Sequence, residues 1–190
     1  DLAEESFKEN VKILANPRPG LHEGELVGWL IERSLASSGG GLVVFLKPTD
    51  MIRPDFLQNL VVYGLDHYVI QGYVGSKHSP NSIFKQVSSL SERLFNRIRL
   101  SGQFHSGGSC PLLASGWAAK QEVLEVVPYH RGHSDNNLEY TIRLNLAEFK
   151  ATWAPNVVVY GEDNLTFLSY LTQQVASAMD RLRLFIQYGM

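Results

Sequence analysis

Apolar residues recur along the chain at two spacings, and the switches between them set out the expected elements. Over 2–15, Phe7, Val11 and Leu14 stand four and three apart among Glu4, Glu5, Lys8, Glu9 and Lys12. That narrow stripe on a polar helix suits a connector better than a core element. Asn16-Pro17-Arg18-Pro19-Gly20 ends it, because two prolines cannot continue a helix and they stiffen the link to the next element. A second helix is expected over 24–38. Leu26, Leu30, Ile31 and Leu35 share its face, Val27 and Trp29 lie beside it, and Gly39-Gly40-Gly41 stops it. Leu42-Val43-Val44-Phe45-Leu46 is a continuous apolar run, the pattern of a central strand, closed by Lys47-Pro48-Thr49-Asp50.

Residues 55–66 are ambiguous between helix and strand, whereas 67–74 (His67 to Val74) are rich in aromatic and β-branched types and read as a strand. Ser79-Pro80-Asn81-Ser82 opens a third helix over 82–100, with Ile83, Val87, Leu90, Leu94 and Ile98 along one side. Residues 103–118 are rich in glycine and serine and read as a loop. Val123–Val127 and Leu138–Leu144 read as the two strands of a hairpin around Arg131-Gly132-His133-Ser134-Asp135-Asn136-Asn137. In the second of them Leu138, Tyr140, Ile142 and Leu144 alternate with Glu139, Thr141 and Arg143. A long final helix is expected over 163–187, with Glu162 and Asp163 at its positive end. Leu165, Leu168, Leu171, Val175, Ala178, Leu182 and Phe185 form its stripe, widened by Met179 and Ile186. The expected fold class is therefore α+β, with helices bracketing a mostly antiparallel sheet. The expected organisation is a connector over 1–20 and one domain over 21–190.

Composition narrows the function classes. Seventeen basic and nineteen acidic side chains leave a net charge of −2, so no electrostatic footprint for nucleic acid is expected. A single cysteine excludes a disulfide framework and every Cys-rich metal site. No apolar run reaches the ~18 residues that a bilayer needs, and no signal peptide opens the chain, so no membrane partner is expected within this segment. The chain starts at Asp1 without a methionine, and both ends read as helix, which suggests a piece of a longer protein.

Four segments, in order, resemble the GAF family of small sensory modules. Leu30 to Ala36 running into Gly41 to Leu46 is similar to the family's opening helix and strand. Val126-Val127-Pro128-Tyr129 resembles its hydrophobic-proline strand end, and Ile142-Arg143-Leu144 falls where the partner strand lies. Glu162 to Leu168, then Thr172-Gln173-Gln174-Val175-Ala176 on to Phe185, resembles its closing helix. Together they cover 24–187, with 47–118 departing most from the family. The resemblance implies a six-stranded antiparallel sheet with opening and closing helices on one face. On the other it implies a small-molecule pocket roofed by residues of about 80–120. It also implies a non-catalytic regulatory domain, dimeric through its terminal helices, in an intracellular signalling protein such as a histidine kinase, cytoplasmic or in a plastid stroma.

Cys110 and His105 are the candidate cofactor-binding residues. Cys110 sits in the Gly/Ser loop, at a distance before the Val123 strand similar to that of the bilin-bearing Cys of phytochromes, although Pro111 replaces the usual His. An accessible thiolate there can add to a vinyl group, sense redox state or ligate an iron–sulfur cluster; a packed thiol does none of these. His67 and His105 could ligate haem iron. His130, His133 and Asp135 have zinc-compatible types but lack a third anchored ligand beyond the turn. Lys85, Arg93, Arg97 and Arg99 give the third helix a basic side suited to a phosphate or simply to solvent. Asn145-Leu146-Ala147-Glu148-Phe149 lacks the Lys and acidic pair of the cyclic-nucleotide branch. Ser106, Ser109 and Ser115 near His105 have no accompanying carboxylate and no nucleophile-elbow glycines. Three readings result: a ligand-binding sensory domain, a redox or chromophore domain through Cys110, and a dimerisation scaffold with a degenerate pocket. An enzyme of unrelated fold is the weaker fourth, and would need a cleft with a carboxylate at His105.

Overall fold

The computed structural model describes residues 23–35, 41–76, 90–91, 93–129, 137–161 and 167–189. The connector and linker over 1–20, the start of the third helix, and His130, His133 and Asp135 lie outside the described residues.

Helix α1 (Glu23–Leu35) leads to strand β1 (Leu42–Phe45), a short β2 (Met51–Ile52), helix α2 (Phe56–Asp66) and strand β3 (Val69–Ser76). A π-helical stretch, Phe95–Leu100, runs on into α3 (Ser101–His105). Strand β4 (Trp117–Lys120) turns directly into α4 (Gln121–Val126), and then come α5 (Leu138–Leu146), the long strand β5 (Ala151–Gly161) and α6 (Phe167–Tyr188). The class is α+β. Among the described residues the sheet has five strands in the order β1-β4-β3-β5-β2. Three neighbouring pairs are antiparallel, and the longest pair, β3 with β5, is parallel, so the sheet is mixed.

The expected hairpin is absent. Both of its segments are helical, and burial shows why. In α4, Val123, Leu124 and Val127 are buried while Val126 is exposed, a helical and not an alternating pattern. In α5 the buried set is Asn137, Tyr140, Thr141 and Leu144, spaced three, one and three. The apparent alternation of Leu138, Tyr140, Ile142 and Leu144 contains the helical pair Tyr140 and Leu144, and the core selects that pair. The two GAF-like segments at Val126–Tyr129 and Ile142–Leu144 therefore do not form paired strands.

The sequence pattern does not predict strand β5. Pro155 and Asn156 in its middle are exposed on a bulge. Gly72 pairs with Ala154 and Tyr73 with Val158, so the pairing skips that interval and resumes. The ambiguous 55–66 segment is α2, and β1 lies at the sheet edge and not at its centre.

Strand alternation divides the core in two. On one face Ile70, Ala118, Ala154, Val157 and Val159 meet Phe56 and Leu60 of α2. On the other, Val69, Trp117, Ala119, Ala151 and Trp153 pack with Ile31, Leu100, Cys110, Leu112, Val123, Leu124, Tyr129, Tyr140 and Leu144. Phe45 stacks on Trp117 with ring centroids 3.6 Å apart, and Tyr129 and Tyr140 close the aromatic cluster around them. Trp117 is thus a core residue. Tyr68 is exposed under the Lys120 ammonium, which lies 4.6 Å from its ring.

Candidate functional site

Three strands, β1, β3 and β5, run in one direction, because β4 is antiparallel to both β1 and β3 while β5 is parallel to β3. Their carboxyl ends share one edge of the molecule. The turn after β1 (Lys47 to Asp50) and the last residues of the loop 109–116 that enters β4 meet beyond the carboxyl end of β1, while the first residues of that loop bond to Ala151 at the amino end of β5. In open, mostly parallel α/β sheets ligands sit in the crevice beyond the carboxyl ends of the strands; here, among the described residues, only β3 and β5 form a parallel pair.

The loop is fastened along its whole length. The Ala151 N–H donates to Ser109 Oγ at 3.0 Å, and the Cys110 N–H donates to the Ala151 carbonyl at 2.9 Å. The Leu112 N–H donates to Thr141 Oγ1 at 2.9 Å. The Leu113 N–H donates to Gln71 Oε1 at 2.7 Å, and Asn137 Nδ2 donates to the Leu113 carbonyl at 2.5 Å. Ser115 Oγ donates to an Asp50 carboxylate oxygen that also accepts the Lys47 N–H. Finally the Gly116 N–H donates to the Phe45 carbonyl at 2.9 Å, and Gly116 O accepts the Gly72 N–H at 2.8 Å.

Two fasteners are themselves set by the core. Gln71 is fully buried, with its Nε2 donating to Gly72 O at 2.9 Å and facing the Ser115 and Gly116 carbonyls at 3.4 and 3.5 Å. Asn137 stands immediately before α5 with its side chain turned away from the helix end, and its Oδ1 accepts the Tyr129 hydroxyl at 2.8 Å. Gly116 has φ +71°, a left-handed conformation, and a Cβ there would lie 3.1 Å from Val159 and 3.2 Å from Val74. Asn96 adds a bond from the π-helical stretch to the Val74 carbonyl, 2.9 Å long.

The sequence candidates fall differently. Cys110 is in this loop and fully buried, with its thiol donating to the Leu100 carbonyl at 3.5 Å. Burial pushes its pKa up from 9.0 to about 11, so the neutral thiol is held and the nucleophilic thiolate disfavoured. His105 is exposed at the end of α3, its Nδ1–H donating to the Ser101 carbonyl at 2.7 Å. Its ring lies edge-on to Phe104 and not on Cys110. His67 ends α2, its backbone N–H on the Tyr63 carbonyl and its ring centroid 6.3 Å from that of Tyr63. Arg93, Arg97 and Arg99 are exposed, with the Arg99 guanidinium 5.1 Å above the Phe95 ring. Among the described residues, no three His, Cys, Asp or Glu side chains come together as a metal-binding group. No described helix is long and apolar enough to cross a membrane.

The sequence pattern does not single out Asp50, Gln71, Asn137 or Thr141 as site residues. Gln71 carries a signal, as the one amide inside an otherwise apolar strand. Asn137 looks like part of a turn, and Asp50 like the end of one. Compared with protein-family models and with curated proteins, the chain matches none.

Proposed function

We propose that the chain is a non-catalytic ligand-binding domain of a regulatory protein, taking a small polar ligand at the carboxyl ends of β1, β3 and β5. The observation that carries this is the fastening of loop 109–116 by Asp50, Gln71, Asn137 and Thr141. Binding sites are largely pre-formed and rely on a few placed polar groups. A loop bonded from four directions meets that condition. Gln71 and Asn137 do not ionise, and the Asp50 carboxylate accepts a hydroxyl and an amide. These groups hold backbone; that supports a binding role over proton transfer. The placement at the strand ends is by fold-level analogy. The reading keeps the sensory class that the GAF resemblance implies without resting on that resemblance, whose hairpin segments are helical here.

Native mass spectrometry of the purified chain tests it. A co-purifying small molecule is expected, and adding it back to stripped protein should raise the thermal midpoint by mass action. The rise should be smaller in Ser115→Ala. A chain that carries no mass, and that no compound in a metabolite screen stabilises, overturns the reading.

We also infer that α6 carries a contact between two copies. Leu168, Leu171, Val175, Ala178, Leu182 and Phe185 fall on the alternating three-and-four spacing of a coiled-coil seam. All are exposed, Leu168 by 74% and Phe185 by 72%. Light scattering should give a dimer that Leu171→Glu with Leu182→Glu converts to a monomer. A monomeric wild-type chain at high concentration overturns it.

A further inference from the structure

Helix α5 is held on two opposite sides. Its inner side presents Asn137, just before the first turn, then Tyr140, Thr141 and Leu144, all buried. There the Leu112 N–H donates to Thr141 Oγ1 at 2.9 Å, and Asn137 Nδ2 donates to the Leu113 carbonyl at 2.5 Å. Glu139 and Arg143, one turn apart, lie on the outer side. Arg143 Nη1 donates to the Pro128 carbonyl at 2.8 Å, and Arg143 Nε lies 3.4 Å from Glu139 Oε1. That same Glu139 oxygen accepts the hydroxyl of Tyr188, the last residue of α6, at 3.2 Å. The Tyr140 hydroxyl also donates to the Val127 carbonyl at 2.9 Å, so α5 and the segment Val127 to Tyr129 form one unit between the loop and α6.

Helix α6 is thinly attached. Among its described residues Leu184 alone is buried. Ser177, Asp180 and Tyr188 are half-buried and share the face of Leu184, at spacings of three and four. The apolar stripe from Leu168 to Phe185 lies on the opposite face and is exposed. A helix with so little buried surface opens at small cost. The two holds on α5 are also unequal. The loop bonds are 2.5 and 2.9 Å long, whereas the Tyr188 bond exceeds the usual length of about 2.5–3.0 Å for a hydroxyl donor. A displacement of α5 that the loop bonds survive therefore breaks the Tyr188 contact first.

We propose that α5 couples loop 109–116 to the carboxyl end of α6, which has two states: Tyr188 clasped on Glu139, or released. The input to this device rests on the reading of loop 109–116 as the ligand site. A ligand that draws Leu112 and Leu113 to a new position carries Thr141 and Asn137 with them, and so displaces Glu139 from Tyr188 on the far side of the helix. It does so only as far as it binds one state better than the other. Such coupling is reciprocal: release of Tyr188 loosens the loop as much as loosening of the loop releases Tyr188. The reciprocity can be measured with no ligand present.

Amide exchange of the full chain, read residue by residue, tests it. Tyr188→Phe removes the hydroxyl and keeps the ring. Exchange at the Leu112 and Leu113 amides should rise roughly three-fold or more, while the Lys120 amide, bonded to the Tyr68 carbonyl in the sheet, stays unchanged. Thr141→Val removes the acceptor of the Leu112 N–H. Exchange over Leu184 to Tyr188 should then rise by a similar factor, again with Lys120 unchanged. Glu139→Gln keeps an acceptor for Tyr188 and should stay near wild type at Leu112, whereas Glu139→Ala should behave as Tyr188→Phe does. No change at the far end in either direction, or a change in one direction alone, overturns the proposal. A rise that Lys120 shares overturns it as well, because it marks a general loss of stability. A chain that shows both effects yet takes no small molecule keeps the coupling and overturns the binding reading alone; one that takes a ligand and shows neither effect keeps the binding reading and loses the coupling.

Discussion

The Ser115 hydroxyl donates to the Asp50 carboxylate across 65 residues of chain, tying the loop that enters β4 to the turn that leaves β1. Ser115 is buried, so its hydroxyl has little water to turn to. Hydrogen bonds to a charged acceptor contribute roughly 1.5–3 kcal/mol. Ser115→Ala should therefore lower unfolding stability by about 1–2 kcal/mol, with an unchanged denaturant slope. Asp50→Asn keeps an acceptor and should cost less. Urea titrations of the three proteins decide it; equal stability of Ser115→Ala and wild type would mean that the bond contributes nothing in solution.

Gln71 offers a sharper test because its amide is used at both ends. Its Oε1 accepts the Leu113 N–H, and its Nε2 faces three carbonyls. Gln71→Glu keeps the acceptor and replaces the donor with an oxygen aimed at other oxygens. Burial and those carbonyls favour the protonated acid, which can still donate. The folded-state pKa of the new side chain should rise above the usual ~4.3. The variant should then be near wild-type stability below pH ~4.3 and lose stability as pH climbs through the raised value. Denaturation at pH ~4 and pH ~7.5 should differ by a few kcal/mol more than it does for wild type. A flat difference would place the side chain in water.

How much of this is legible in the sequence depends on what each residue packs against. The strand at 67–74 and the final helix are readable because their patterns are local and long, and β3 and α6 match them closely. The Val123 and Leu138 segments are not. Short apolar runs fit both periods, and the choice belongs to Trp117, Tyr129 and Cys110 across the core. Strand β5 is hidden by Pro155-Asn156, whose bulge exists only because β3 supplies the pairing on either side. Within the candidate site, Cys110 draws attention for its chemistry and is packed in the core. The fasteners are ordinary amides and hydroxyls whose role arises from contacts 24 to 65 residues away.

Gly72 marks the other place where local reading falls short. A Cβ at this position would lie 2.4 Å from the Val157 carbonyl oxygen and 2.9 Å from that of Gly116. Both are backbone atoms, in β5 and at the end of the fastened loop, so neither yields as a side chain would. The β3–β5 register also shifts immediately after Gly72. Gly72→Ala should force the strands apart and cost about 3 kcal/mol or more, within the range of overpacked core sites. Gly102→Ala, where nothing lies within 4 Å, is the matched control and should be near neutral. Thermal unfolding of the pair measures the difference, and similar midpoints would show that β5 can move aside.

Cys110 ties the core to pH. Its thiol is fully buried, and burial raises its pKa from 9.0 to about 11. An unfolded chain ionises the thiol from about pH 9, while the folded chain resists until about pH 11. The stabilisation linked to the neutral thiol is thus complete below pH 9 and is lost between the two values, amounting to roughly 2–3 kcal/mol at the upper end. Cys110→Ala lacks this titration, so its stability should fall less steeply over that window than wild type, despite starting lower from the lost packing. Reaction with an aromatic disulfide reagent at about pH 8 should be slow in the native chain, where the thiolate is scarce, and fast in urea. The native rate should track opening of loop 109–116. Ser115→Ala, by loosening that loop, should speed the native reaction several-fold. Rapid labelling of the native wild-type chain would instead put an accessible thiolate in the loop and favour the redox and chromophore readings.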